Sequence, residues 1–161
     1  MIVLGIDPGS VTTGYGVIDT GPVVRMLDGG VIRCDGRQAL PERLQRIHAA
    51  VADVVARHRP QVMAVENLFN ARNARSSLVL GHARGVILLA GAAAGLEVVE
   101  YAPREVKLAL TGNGAAAKEQ VRFMVMRLLG LRESPPLDQS DALAVALAYQ
   151  GRAPLRRRGR S

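Results

Sequence analysis

The feature that most limits what this chain can fold into is a series of short apolar runs, each closed by a turn residue or a carboxylate, separated by longer stretches with helical spacing. Residues 2–6 (IVLGI) end at Asp7-Pro8-Gly9. Tyr15 to Asp19 and Val23 to Arg33 follow with glycine at their joints, so three adjacent strands joined by turns are expected. From Pro41 to His58, Leu44, Ile47, Val51, Val54 and Val55 recur at helical spacing, with proline suited to the first turn. Val62 to Val65 then reads as a buried strand, Ala74 to Leu96 as a long helix rich in small residues, and Glu97 to Tyr101 as a fifth strand. Helices are expected at 103–110, 118–129 and 137–150. Three hairpin-linked strands followed by alternating helices and strands predict an α/β fold, a mixed five-stranded sheet with helices on both faces.

At 161 residues, 48% of them apolar, the chain has the size of one domain with a real core. Its single cysteine, Cys34, forms no internal disulfide, and three scattered histidines offer no zinc spacing. The start MIVLGIDPGS has no basic leader, so a cytoplasmic location is expected. The longest apolar stretch, Val86 to Gly95, is about half of the roughly 20 residues a membrane span needs, so no membrane association is expected. The net charge is +7, yet five arginines stand in the last eleven residues, leaving 16 basic against 14 acidic groups in residues 1–150. Residues 151–161 read as a basic, solvated, disordered tail that biases the molecule toward polyanions.

Four carboxylates draw attention. Asp7 and Glu66 each follow an apolar strand directly, at the strand ends where α/β sheets place their sites. Asp138 and Asp141 open an alanine-rich helix with a spacing that puts both on one face, and the alanines would let that helix lie close to the sheet. Each has an ordinary alternative: Asp-Pro-Gly is a common turn, and acidic residues favour a helix N-terminus. Acids that converge without cations repel one another, so a protein that gathers several generally neutralises them with metal. An all-oxygen donor set without a His/Cys cluster points to Mg²⁺ or Mn²⁺.

An acidic site in a basic protein suits a polyanionic substrate held through bridging cations, the logic of a metal-dependent nuclease. After Glu66, the loop carrying Phe69, Asn70, Arg72, Asn73 and Arg75 offers a stacking face and phosphate contacts, although a lone phenylalanine is commonly core. Arg104, Lys107, Lys118 and Arg122 flank Thr111-Gly112-Asn113-Gly114, either as solvated helix faces or as a second phosphate-binding group. That glycine-rich loop lacks Gly-Lys-Ser/Thr and follows a helix, which excludes a P-loop.

Taken together and in order, GIDPGSVTTGYGV, VMAVENLFNARN, LGHARGV, EYAPREVK, TGNGAAAKEQV and LDQSDALAVALAY resemble the RuvC family of Holliday junction resolvases across residues 1–150. The resemblance implies an RNase H-like fold, a homodimer, and an endonuclease that nicks two opposing strands of a four-way DNA junction to leave 5′-phosphate and 3′-hydroxyl ends. It places Asp7, Glu66, Asp138 and Asp141 at the family's catalytic and metal-binding positions, with two Mg²⁺ or Mn²⁺ ions per site. Phe69 falls at its junction-contacting aromatic, Lys107 and Lys118 at basic positions tied to activity, and RuvA and RuvB are implied partners. Within TGNGAAAKEQ this chain carries Ala115 where relatives often have a basic residue. The small-residue helix at Gly81 to Ala94 is the expected dimer interface.

Two other readings fit parts of the pattern. A strand ending in GID before Gly-Ser also resembles the phosphate-binding start of actin-like and sugar-kinase-like ATPases, although those need two domains to enclose a nucleotide. In a non-catalytic DNA-binding module, the carboxylates would only cap helices and the basic groups would hold phosphates.

Overall fold

The order of elements follows the periodicities. A computed structural model describes residues 1–67 and 73–158, without the side chains of 152–158. Strands β1 (Ile2–Asp7), β2 (Thr12–Asp19) and β3 (Arg25–Arg33) form an antiparallel meander. Helix α1 (Leu40–His58) leads to β4 (Val62–Glu66), and α2 (Ala74–Ala93) leads to β5 (Glu97–Tyr101); both strands run parallel to β1. Helices α3 (Pro103–Thr111), α4 (Lys118–Leu129) and α5 (Leu137–Arg158) complete the order. The sheet is ordered β3-β2-β1-β4-β5, so the two strands expected to carry site acids lie side by side at its centre.

Boundaries differ in instructive ways. Strand β2 begins at Thr12 rather than Tyr15, because Gly14 pairs with Asp7 instead of marking a turn. Helix α2 stops three residues early, where Gly95 takes a left-handed conformation at φ 73°. Helix α5 runs to Arg158, beyond the expected end at Gln150.

Strand alternation sorts the sheet into two faces, each with its own core. Leu4, Ile6, Met63 and Val65 point to α1 and α2, where they meet Ile47, Val51, Ala83 and Ile87. Val3, Val62 and Ala64 point the other way, toward α3, α4 and α5. Asp7 and Glu66 share the parity of Val3 and Val62, so both carboxylates belong to the α5 face.

On that face α5 lies almost directly on the backbone of the sheet. Gly29, Gly16, Gly5 and Ala64 are register partners in a row across four strands, and this row of small residues forms a shallow track. A Cβ on Gly5 would fall 2.1 Å from the carbonyl oxygen of Ala142, one on Gly16 2.5 Å from Leu143 Cδ2, and one on Gly14 1.8 Å from the carbonyl oxygen of Asp138. The helix contributes its own small residues, Ala142 and Ala146, and every residue from Ala142 to Tyr149 is buried. Helix and sheet thus approach closely because the sheet presents no side chain at Gly5, Gly14 and Gly16 and the helix meets Gly5 with only Ala142 and Ala146.

Helix α2 is long and apolar enough on average to span a bilayer, which an uninterrupted apolar run of half that length did not suggest. Here Ala83, Ile87 and Ala90 seat it on the sheet, Arg84 pairs with Glu100 of β5, and Leu78 and Leu89 are left exposed.

Substituting Gly5→Ala is expected to destabilise the fold by about 1–3 kcal/mol, the range for overpacking a tight interface. Urea unfolding at fixed pH measures this; a midpoint equal to wild type would contradict the close seam.

Candidate active site

Because Ile6 is the register partner of Val65 in parallel strands, Asp7 and Glu66 emerge next to each other at the C-terminal ends of β1 and β4. The loop after Asp7 is fixed from three directions. Buried Thr13 accepts from the Gly9 N–H through Oγ1 at 3.3 Å and donates back to the Gly9 carbonyl at 2.8 Å. The Cys34 N–H reaches the Val11 carbonyl at 2.8 Å, and Arg43 Nη1 donates to the Ser10 carbonyl at 3.1 Å.

The other two acids arrive on α5. Asp138 stands over Gly14, the cross-strand partner of Asp7, and Asp141 lies about one turn further along the helix. Gln139 and Ser140, between them, are buried; Gln139 packs against Gly29, and the Ser140 N–H bonds the Pro136 carbonyl at 2.9 Å. The glycine seam therefore sets how close the helix acids come to the sheet acids.

Electrostatics records that convergence. Asp7 is pushed up to about 8, first by burial and then by repulsion from Glu66, with Asp141 and Asp138 adding to it. Glu66 is also raised, mainly by burial; its hydrogen bond from Asp7 opposes this, Asp141 adds to it, and Lys118 and Lys107 pull it back. Asp7 and Glu66 thus share one proton, so the titration belongs to the pair. Asp141 is raised by burial, relieved by Lys118, raised again by Asp138 and relieved by Arg122. Lys118 Nζ lies 3.8 Å from Asp141 Oδ2 with its chain largely exposed, a geometry that leaves it mobile enough to serve another anion.

Among the described residues, no three His, Cys, Asp or Glu side chains converge into a closed ligand cage. Instead the acids divide into a proton-sharing pair and a helix pair facing a lysine, the arrangement mutual repulsion favours. The donor set still fits a hard divalent cation. It is all oxygen, three of its carboxyls are held above the ordinary carboxylate range by burial and mutual repulsion, and Asn67 beside Glu66 keeps a buried Oδ1 with no donor among the described residues.

The remaining residues expected at the site divide three ways. Lys107, Lys118 and Arg122 all act on the carboxylates, although Arg122 is also tied to Ser134 Oγ at 2.8 Å. Arg104 is exposed at the start of α3 with its stem against Gly114, and Arg75 is exposed in the first turn of α2. Phe69 and Arg72 lie outside the described residues. Asn73 is the N-cap of α2, accepting from the Ser76 N–H at 2.9 Å. Thr111 to Gly114 closes α3 through left-handed Gly112 and forms no phosphate cradle.

A family model for crossover junction endodeoxyribonuclease RuvC matches residues 3–149. The chain belongs to the RuvC family. A RuvC from Halorhodospira halophila is 50% identical over 155 residues, covering 95% of this chain and 93% of its own. The solved structure of Thermus thermophilus RuvC superposes with a TM-score of 0.90 at 41% identity, covering 96% of each chain. The T. thermophilus RuvC in complex with Holliday junction substrate gives 0.88 at 40% identity with the same coverage. The sheet and its helices are thus the RNase H-like fold of RuvC, as the six segments implied. Family membership over nearly the whole chain replaces the ATPase and binding-module readings.

Glycines 5, 14 and 16, together with Thr13 and Arg43, are site-building residues that sequence reading passed over. The signal was present as glycine at alternate positions of β2 opposite an alanine-rich helix.

A carboxyl whose folded pKa lies above its ordinary value holds its proton longer in the folded state, so folding stability is lost as pH rises from about 3.8 to about 8. In chelator, wild type is therefore expected to lose stability between about pH 5 and pH 8 more steeply than Asp7→Asn, which removes the repulsion. Urea unfolding across that range checks the sign; parallel pH slopes for the two proteins would refute it.

Proposed function

We propose that this chain resolves four-way DNA junctions by hydrolysing two opposing strands at symmetric positions, with two divalent cations, Mg²⁺ or Mn²⁺, held in each site by Asp7, Glu66, Asp138 and Asp141. One observation carries the reading: two acids at the ends of adjacent parallel strands and two more on α5 are drawn onto one face, with Lys107 and Lys118 beside them. When bound, the cations supply charge neutralisation at the phosphate, acidify a water, and favour departure of the 3′ oxygen. The protein's own residues do the rest.

Asp7 and Glu66 give up their shared proton as the site is loaded, so the pair presents two full charges to the cations. Asp138 and Asp141, carried by a helix without freedom to slide on its glycine track, fix the other side. Lys118, exposed and only loosely engaged with Asp141, turns to the non-bridging phosphate oxygens, and Lys107 adds a second positive charge. Water adds across the P–O3′ bond, leaving a 5′ phosphate and a 3′ hydroxyl. Arg75, Arg104 and Arg122 contact neighbouring phosphates, and Phe69 and Arg72, in the loop after Glu66, engage the junction itself.

A two-fold dimer suits a four-way junction because it presents two equivalent sites to two equivalent strands. The outward face of α2, with Leu78 and Leu89 exposed, is the proposed interface. Residues 1–150 form the nuclease unit and 151–161 a basic extension. The protein works in the cytoplasm with RuvA and RuvB as branch-migration partners.

The test is incubation with an end-labelled synthetic four-way junction and a matched linear duplex, in Mg²⁺, Mn²⁺ or chelator, with nick positions read on a sequencing gel. Paired symmetric nicks confined to the junction and dependent on metal are expected; tight binding without nicks in either metal would overturn the reading. Asp7→Asn is expected to lower nicking at least about 100-fold while keeping junction affinity, because it removes a cation ligand and no phosphate contact. Lys118→Ala is expected to slow nicking of saturated junction by about 100-fold with a smaller effect on binding. Equal loss of cutting and binding in both variants would contradict these roles.

A further inference from the structure

The sheet face that carries the acids extends past them on the β3 side, and one cation stands there. Gly29 faces α5, where its Cβ position meets Gln139, and strand alternation puts Val31 and Arg33 on the same face. Arg33 is the register partner of Thr12, which shares the parity of Gly14 and hence of Asp7. Asp7, Gly14 and Val31 form one cross-strand row, and Arg33 lies two strands over and two residues beyond it. Strand spacing and rise place its backbone about 12 Å from Asp7.

Arg33 is exposed and has no carboxylate partner among the described residues. The acid that shares its parity, Asp35, is already engaged by Arg37 at 2.8 Å. Arg46 of α1 donates to the Arg33 carbonyl, which fixes the end of the edge strand, and the Arg33 guanidinium has no hydrogen-bond partner among the described residues. Lys107 and Lys118 stand near enough to Glu66 to offset its charge, and Lys118 Nζ is 3.8 Å from Asp141 Oδ2. Arg33 thus adds a cation at the β3 edge of the face, apart from the two lysines that neighbour the acids.

We propose that Arg33 binds a phosphate of the strand being cut, within about four nucleotides of the scissile phosphate, given one charge per about 3.4 Å of axis on each strand. The assignment rests on the junction-cutting function proposed above. A phosphate contact about 12 Å from the acids, added to the lysines beside them, would fix the direction of the strand across the site, which contacts at one point alone leave free to pivot.

The test is junction binding by fluorescence anisotropy in chelator over a salt series, with wild type, Arg33→Ala and Arg33→Lys, alongside their melting temperatures. Arg33→Ala is expected to melt as wild type does and to shallow the slope of log affinity against log salt by about one per Arg33 engaged, with Arg33→Lys restoring it. Single neutral methylphosphonates scanned along the cut strand are expected to reveal one position that weakens wild type and leaves Arg33→Ala unchanged. An unaltered salt slope together with the same methylphosphonate profile in both proteins would overturn the assignment while leaving the function standing. A wild-type protein that shows no preference for the junction over linear duplex would overturn the function, and the assignment with it.

Discussion

The contact of α5 with the glycine row of the sheet is what the rest of the molecule depends on. A helix normally rests on a sheet across a layer of side chains, which would hold Asp138 and Asp141 well away from Asp7 and Glu66. Here Gly5, Gly14 and Gly16 remove that layer on the sheet side, and Ala142 and Ala146 remove it on the helix side. The seam is a structural device, yet its consequence is chemical. It places two acids of the C-terminal helix within electrostatic reach of two acids from strands that begin the fold and sit at its centre.

That placement works against stability, and the surroundings are arranged to tolerate it. Asp7 and Glu66 share a proton, Asp141 faces Lys118, and Lys107 and Arg122 offset part of the remaining charge. Fully compensating partners would leave no capacity for the proposed cations; compensation by Lys118 and Lys107 is only partial. A basic exterior around an acidic centre then has a simple meaning. The exterior would draw in the polyanion, and the acidic centre is where the proposed cations would meet its phosphates.

Much of this was legible in the amino-acid order because strands and helices announce themselves by period, and because the four acids stand at element ends where periodicity alone locates them. The five strands, the five helices and the position of Asp7 and Glu66 at strand ends follow from that reasoning; their adjacency comes from the pairing of β1 with β4. Glycine was the main source of error. A glycine beside a strand reads as a joint, so periodicity starts β2 at Tyr15 and leaves out Gly14, while Gly5 and Gly16 fall inside expected strands with nothing local to mark them as the seat of α5. Asn73 shows the same weakness in a polar residue: its value as a phosphate contact and as a helix cap is indistinguishable until the first turn of α2 is seen. Arg33 was passed over because nothing local marks it; only the register of β3 against β2 and β1 puts it on the face of the acids.

Whether sheet and helix acids make one cation site or two independent pairs is decided by calorimetric titration of Mn²⁺ into wild type, Asp7→Asn and Asp141→Asn at pH 8. Each substitution, one on β1 and one on α5, is expected to weaken the same binding event by about tenfold or more. Retention of wild-type affinity by Asp141→Asn, with loss confined to Asp7→Asn, would contradict it.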